Sequence, residues 1–131
     1  MKADDRLFGQ SAEVLAEQYL RKKGYRILER NVRLPGGELD MVVRHGDLLI
    51  FVEVKARRTE QYGGSPYAVH GRKERRLIKL AAQYLAYHHH DSPGYQLCRF
   101  DVILCQKIGN GPLEIQHIEN AFEVSGQDLR W

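Results

Sequence analysis

Hydrophobic and polar positions change period along this chain, and each change marks an element. On either side of Gly46-Asp47 apolar residues recur at every second position, which predicts two strands joined by a two-residue turn. Glycine first in such a loop suits a type II′ turn. Counting outward from His45 and Leu48 sets the register. Val43 then faces Ile50, Met41 faces Val52 and Leu39 faces Val54 on one apolar face, while Val42–Phe51, Asp40–Glu53 and Glu38–Lys55 share the other. A slip of one residue would turn one strand's side chains to the wrong side.

The flanking segments carry other periods. Phe8, Ala12, Leu15, Ala16, Tyr19 and Leu20 form a stripe at helical spacing, capped by Asp4 or Asp5, running to about Lys23 and stopped by Gly24. Residues 25–31 read as a first, weakly alternating strand, and residues 34–37, with Pro35, Gly36 and Gly37, break the chain before the hairpin. Residues 56–66 lose all periodicity and predict a mobile loop. A second long helix is expected over residues 67–88, with Leu77, Leu80, Ala81, Tyr84 and Leu85 facing inward. Residues 96–105 and 113–118 alternate around Gly109-Asn110-Gly111 and predict a second hairpin, and in the tail Ala121-Phe122 packs on the core. Helix, strand, hairpin, helix, hairpin is the order of an α/β sheet flanked by helices.

Composition narrows the class. With 131 residues the expectation is one domain spanning residues 1–131. Hydrophobic residues make up 43% and charged residues 28%, which excludes wholesale disorder. Lys and Arg total 20 against 17 Asp and Glu, a net charge of +3, so a nucleic-acid footprint has to come from local clustering. No apolar run approaches transmembrane length and the first residues are polar and acidic, so a cytoplasmic protein without a membrane partner is expected. Cys98 and Cys105 stand seven apart on one predicted strand, on opposite faces and roughly 23 Å apart, and cannot bridge. No CxxC or Cys/His zinc pattern occurs.

The hairpin register sets Asp40 and Glu53 opposite each other at roughly 5 Å between Cβ atoms. At an effective dielectric of about 20 they repel by about 3 kcal/mol, which a divalent cation would offset. Mg²⁺ (or Mn²⁺) fits, being held by one or two carboxylates while keeping waters and phosphate oxygens. Lys55, two residues beyond Glu53, lies on the same face, where an ammonium can act on an attacking water or on charge developing at phosphate. The alternative is an exposed strand face whose charges keep an edge soluble. Glu13 and Glu17 stand four apart beside the helical stripe, where the plain reading is a solvated face. Residues 72–79 hold five basic residues and one acid. Arg72, Lys73, Arg75 and Arg76 there, with Arg57 and Arg58 after Lys55, are the candidates for phosphate contacts, against the alternative of a solvated helix face. His88, His89 and His90 are adjacent on a helix end and do not converge on an ion, and Asp101 pairs with Arg99 on one strand face.

Asp40, twelve intervening residues and then Glu53-Val54-Lys55 resemble the PD-(D/E)xK nuclease core. More narrowly, Gly37-Glu38-Leu39-Asp40, Phe51-Val52-Glu53-Val54-Lys55 and Arg99-Phe100-Asp101-Val102 resemble the bacterial YraN family, related to archaeal Holliday junction resolvases. Leu39 stands where the superfamily's name has proline. The resemblance covers nearly the whole chain. It implies a restriction-endonuclease-like mixed sheet flanked by helices and a metal-dependent endonuclease that hydrolyses phosphodiester bonds in DNA, branched DNA included. Asp40 and Glu53 would then hold the metal and Lys55 assist the water, and Gly9-x-x-x-Glu13 resembles the helix motif that brings a third carboxylate. Two other readings stand beside it: a nucleic-acid-binding protein that does not cleave, and a protein-binding scaffold whose carboxylates only form ion pairs. A homodimer is compatible with all three.

Overall fold

The computed structural model describes residues 3–59, 71–88 and 97–121. In chain order the elements are α1 (Ala3–Lys22), β1 (Arg26–Leu34), β2 (Gly37–His45), β3 (Leu48–Thr59), α2 (Gly71–His88), β4 (Leu97–Ile108) and β5 (Leu113–Ile118). The strands form one five-stranded sheet in the order β1-β2-β3-β4-β5, antiparallel except for the β3–β4 pair. This is the α/β mixed sheet flanked by helices that the pattern predicts.

Local chemistry explains the joints. Gly24 takes φ +89° and closes α1, its N–H bonding to Arg21 O at 3.0 Å while Tyr25 N–H reaches back to Leu20 O at 3.0 Å. Gly46 at φ +62°, followed by Asp47 at negative φ, gives the β2–β3 turn its type II′ form. Pro35-Gly36, with Gly36 at φ +95°, is an ordinary two-residue turn that joins β1 to β2, so β1 extends beyond the predicted residues 25–31.

The sheet buries both faces. Ala12, Ala16 and Leu20 of α1 pack on Met41, Val43, Ile50, Val52, Ile103 and Cys105. On the other face Leu77, Leu80, Ala81 and Tyr84 of α2 pack on Val42, Leu49, Phe51 and Phe100. Gln83, buried among the apolar residues of α2, donates to Pro35 O at 2.8 Å and ties that helix to the β1–β2 turn. Cys98 packs on the α2 side and Cys105 on the α1 side, both as free thiols. Burial pushes the Cys105 thiol up to about 11, leaving it inert.

Three expectations change. The β2–β3 register holds from His45–Leu48 to Met41–Val52 and stops there, so Asp40–Glu53, Leu39–Val54 and Glu38–Lys55 are not ladder pairs. Leu39 is buried with the α2 cluster and Val54 packs toward α1, on opposite faces. Residues 56–59, read as loop, remain strand because β4 pairs with β3 in parallel as far as Thr59–Ile108. The remainder of that loop and residues 67–70 of the predicted helix lie outside the described residues, as do His89, His90 and Phe122. His88 stacks on Tyr84 at 4.3 Å and lies 3.9 Å from Glu29, a packing role. Among the described residues no helix is long and apolar enough to cross a membrane.

One buried polar network fastens α1, β4 and β5 together. Asp101, 1% exposed, accepts two bonds from Arg99 at 2.7 and 2.8 Å, one from His117 Nε2 at 2.7 Å and one from Asn120 N–H at 3.0 Å. A carboxylate cannot donate, so His117 carries a proton on Nε2, and its Nδ1 lies 3.2 Å from the Tyr19 hydroxyl. Arg99 also donates to Tyr25 Oη at 3.2 Å, and Tyr25 stacks on His45 at 4.7 Å. Burial alone would raise the Asp101 carboxyl, but the bonds from His117, Arg99 and Asn120 outweigh it and hold the group below its ordinary value. The predicted Arg99–Asp101 pair is therefore real, and it is a structural clamp.

Asp101→Asn should cost about 3–5 kcal/mol, because it leaves Arg99 without its buried counter-charge. Urea unfolding at pH 7 measures this. Because the folded-state pKa is depressed, the carboxylate's contribution is complete above the unfolded value of about 3.9 and is lost as pH falls through the folded value. The gap between wild type and variant should therefore shrink below pH 4.

Candidate functional site

Asp40 sits where the β2 alternation breaks. Residues 39 and 41 lie on one face of any regular strand, yet Leu39 packs against α2 and Met41 against α1. Across from the break is Asn31 of β1, between the pairs Arg30–Met41 and Val32–Leu39, at φ +51°. Asparagine is among the few side chains that adopt this left-handed conformation readily.

Where the β2–β3 ladder ends, the carboxylate of Asp40 replaces it and accepts from Val54 N–H at 2.8 Å. That bond fixes Asp40 one residue from Glu53 along β3. Asp40 also lines an open cleft with Glu13, Glu17, Arg30 and Asn31, on the side where α1 packs. Glu53 alternates with Val52 and Val54 and so lies on the α2 side, beside Leu39, Phe51 and Leu77. Asp40 thus stands between carboxylates that approach from α1 and from β3.

The electrostatics follow from this placement. Burial raises the Asp40 carboxyl first and the charge of Glu53 second; the Val54 N–H opposes them, Glu13 and Glu38 add to the rise, and the group is pushed up to about 7. Glu13 is also raised, by burial and then by Glu38. Glu17, read as solvated, instead forms ion pairs with Arg30 of β1 and, at 3.5 Å, Arg21. It therefore closes one wall of the cleft by pairing α1 with β1.

The basic candidates divide between the two faces. Lys55 and Arg57 alternate with Glu53 and share its side, whereas Arg58 lies on the opposite face, its guanidinium 4.4 Å from the Phe8 ring centroid. Arg75 and Arg76 are exposed on α2, and Arg76 adjoins Leu77, which lines the cleft beside Glu53. Arg72 and Lys73 lie in the first turn of α2, with side chains outside the described set. The sequence reading missed Arg30 and Asn31, though an asparagine ending an alternating run was a usable signal for left-handed backbone.

As a metal fit, the donors are hard oxygens with like charge to neutralise. Among the described residues no group of three or more His, Cys, Asp and Glu is arranged as a metal cage. The arrangement suits an ion that takes one or two carboxylates and keeps water and substrate oxygens elsewhere, as Mg²⁺ does.

A family model described as uncharacterised protein family UPF0102 matches residues 12–105, which include Glu13, Asp40, Glu53 and Asp101. The chain belongs to the UPF0102 family, also called YraN. A UPF0102 protein of Frankia casuarinae is 45% identical over 93% of this chain and 100% of its own length. Others, from Symbiobacterium thermophilum and Pelotomaculum thermopropionicum, are 43% and 46% identical over 91% and 89% of this chain and 98% and 96% of their own. Among solved structures, Pyrococcus furiosus SfsA in complex with Ca²⁺ aligns with TM-score 0.40 and 20% identity, covering 92% of this chain and 65% of that one.

The UPF0102 carboxylate cluster should carry a cost that depends on pH. The folded-state pKa of Asp40 is raised, so its contribution is fully present below the ordinary value of 3.8 and is lost as pH rises through about 7. Asp40→Asn in EDTA at pH 8 should therefore gain on the order of 2 kcal/mol, a rise in Tm of roughly 5 °C, and the gain should fade by pH 5. Thermal melts at both pH values check it. A large drop at both would mean that Asp40 is a structural partner.

Proposed function

We propose that this UPF0102 protein is a metal-dependent endonuclease that hydrolyses phosphodiester bonds in DNA. What supports the reading is the end of the β2–β3 ladder, where Asp40 is bonded to the Val54 N–H next to Glu53, the Glu53 charge raises the Asp40 carboxyl, and Lys55 lies on the Glu53 side. A divalent cation bound between two such carboxylates would offset their repulsion and attract an anionic substrate.

Asp40 and Glu53 would hold Mg²⁺ or Mn²⁺. Bound there, the ion would polarise a phosphoryl oxygen and acidify a bound water. Asp40 is fixed by the Val54 N–H, so its free lone pairs keep a set direction. Lys55 places positive charge beside the reacting phosphate, where it favours the charge that builds up in the transition state. Glu13 approaches from α1 and orients the attacking water through its carboxylate. Arg57 and the exposed Arg75 and Arg76 extend a basic surface on the same side for flanking phosphates, and Arg72 and Lys73 stand just before them in the sequence of α2.

The runner-up is a nucleic-acid-binding protein that keeps this surface without cleaving. It is favoured by the absence, among the described residues, of a third ligand in metal-cage geometry. Incubation with a panel of branched, single-stranded and duplex DNA separates the two. We expect cleavage in Mg²⁺ or Mn²⁺, none in Ca²⁺, and a loss of at least about 100-fold in Asp40→Asn and Glu53→Gln with binding retained. Lys55→Ala should keep metal binding and slow the chemical step by roughly 10²-fold or more. Wild-type protein that binds the panel and cuts none of it in Mn²⁺ would favour the runner-up.

A further inference from the structure

On the face opposite Glu53 and Lys55, the ends of β3 and β4 and the start of α1 border a second groove of roughly 370 Å³, open to solvent. Its walls differ in character. Arg58 and Lys107 are direct partners across the parallel β3–β4 pair, so two cations stand side by side at about the 4.8 Å strand spacing. Phe8, Pro112 and Leu113 form an apolar wall, with Ser11 beside it. None of the described residues lining the groove is acidic. Adjacent like charges repel here as they do at Asp40, and here an anion would relieve them.

We infer that this groove takes a single-stranded segment of nucleic acid, its phosphates on Arg58 and Lys107 and a base against Phe8. The inference rests on the reading of Asp40 and Glu53 as a phosphodiester site. Duplex DNA presents mainly phosphates to a protein surface and has no use for an apolar wall beside the cations. A single strand exposes base faces as well, and a charged groove with an aromatic platform is the arrangement that holds it. Arg58 already lies on the Phe8 ring, which extends the stacking surface with a planar cation. Arg58 is five residues beyond Glu53, roughly 17 Å along β3. A single strand that touches both sites has to cover at least that distance.

Fluorescence anisotropy with a twelve-residue oligo(dT), titrated in salt, tests this. Relative to wild type, Arg58→Ala/Lys107→Ala should lose roughly 1.4 in the slope of log affinity against log salt, the value for two single-strand phosphates. Phe8→Leu should weaken binding roughly tenfold with the slope unchanged. Blunt duplex of equal length should respond to neither change. Arg58→Gln/Lys107→Gln repeats the measurement with bulk retained, in case the alanine pair melts early. An unchanged oligo(dT) slope in both double variants overturns the proposal. Equal losses on duplex, or competition by polyglutamate as effective as by oligo(dT), also overturn it in favour of a general basic surface or an acidic protein. A rise in Tm on adding Mg²⁺, expected for wild type and lost in Asp40→Asn and Glu53→Gln, reports on the metal site separately. If that rise is present and oligo(dT) binding is indifferent to the groove variants, the groove alone is wrong. If it is absent and the groove variants still lose binding, the groove stands and the metal-site reading fails.

Discussion

Strand β3 has different neighbours on its two edges, and the candidate site follows from that difference. Along one edge it pairs in parallel with β4 from Leu48–Leu97 to Thr59–Ile108 without interruption. Along the other it loses β2 after Met41–Val52, and the Asp40 side chain takes the next N–H, that of Val54. The parallel pairing keeps Glu53, Lys55 and Arg57 in one row on the α2 side, while the broken ladder lets Asp40 line the cleft on the α1 side. A continuous β2–β3 ladder would leave Asp40 in an ordinary strand pair with no cleft at its side.

This rigidity has to come from elsewhere, because the carboxylates oppose it. Two apolar layers supply most of it, α1 on one face and α2 on the other. The Arg99–Asp101–His117 clamp adds a polar fastening at the α1 side. The contrast between buried Asp101 and half-buried Asp40 is informative. Asp101 is surrounded by donors and held below its ordinary pKa, whereas Asp40 has one N–H donor and three carboxylates coupled to it and is pushed up to about 7. A structural acid is held by donors within the fold, and an acid raised by burial and by neighbouring carboxylates marks a candidate site.

Much of this was legible in the sequence. The type II′ turn at Gly46-Asp47, the register from His45 to Met41 and the stop at Gly24 follow from periodicity and glycine chemistry, and all are present. The resemblance to YraN proteins was right about family and about the α/β mixed sheet. What periodicity could not give was the break at Asp40, because extending an alternating pattern assumes that the pattern is never interrupted. Nor could it show that residues 56–59 stay extended, since β4, which pairs with them, lies about fifty residues away in the chain. The assignment of Arg57 and Arg58 to one surface failed for a simpler reason. Adjacent residues of a strand face opposite ways, and once the strand continues, they part.

The central claim is that Asp40 and Glu53 share a divalent cation. Anomalous diffraction from crystals of the protein soaked in Mn²⁺ at pH 8 measures this most directly. We expect one strong anomalous peak within about 2.3 Å of an oxygen from each carboxylate, absent in crystals of Asp40→Asn. Ordered Asp40 and Glu53 side chains with no peak between them at millimolar Mn²⁺, or a peak that persists in the variant, would contradict it.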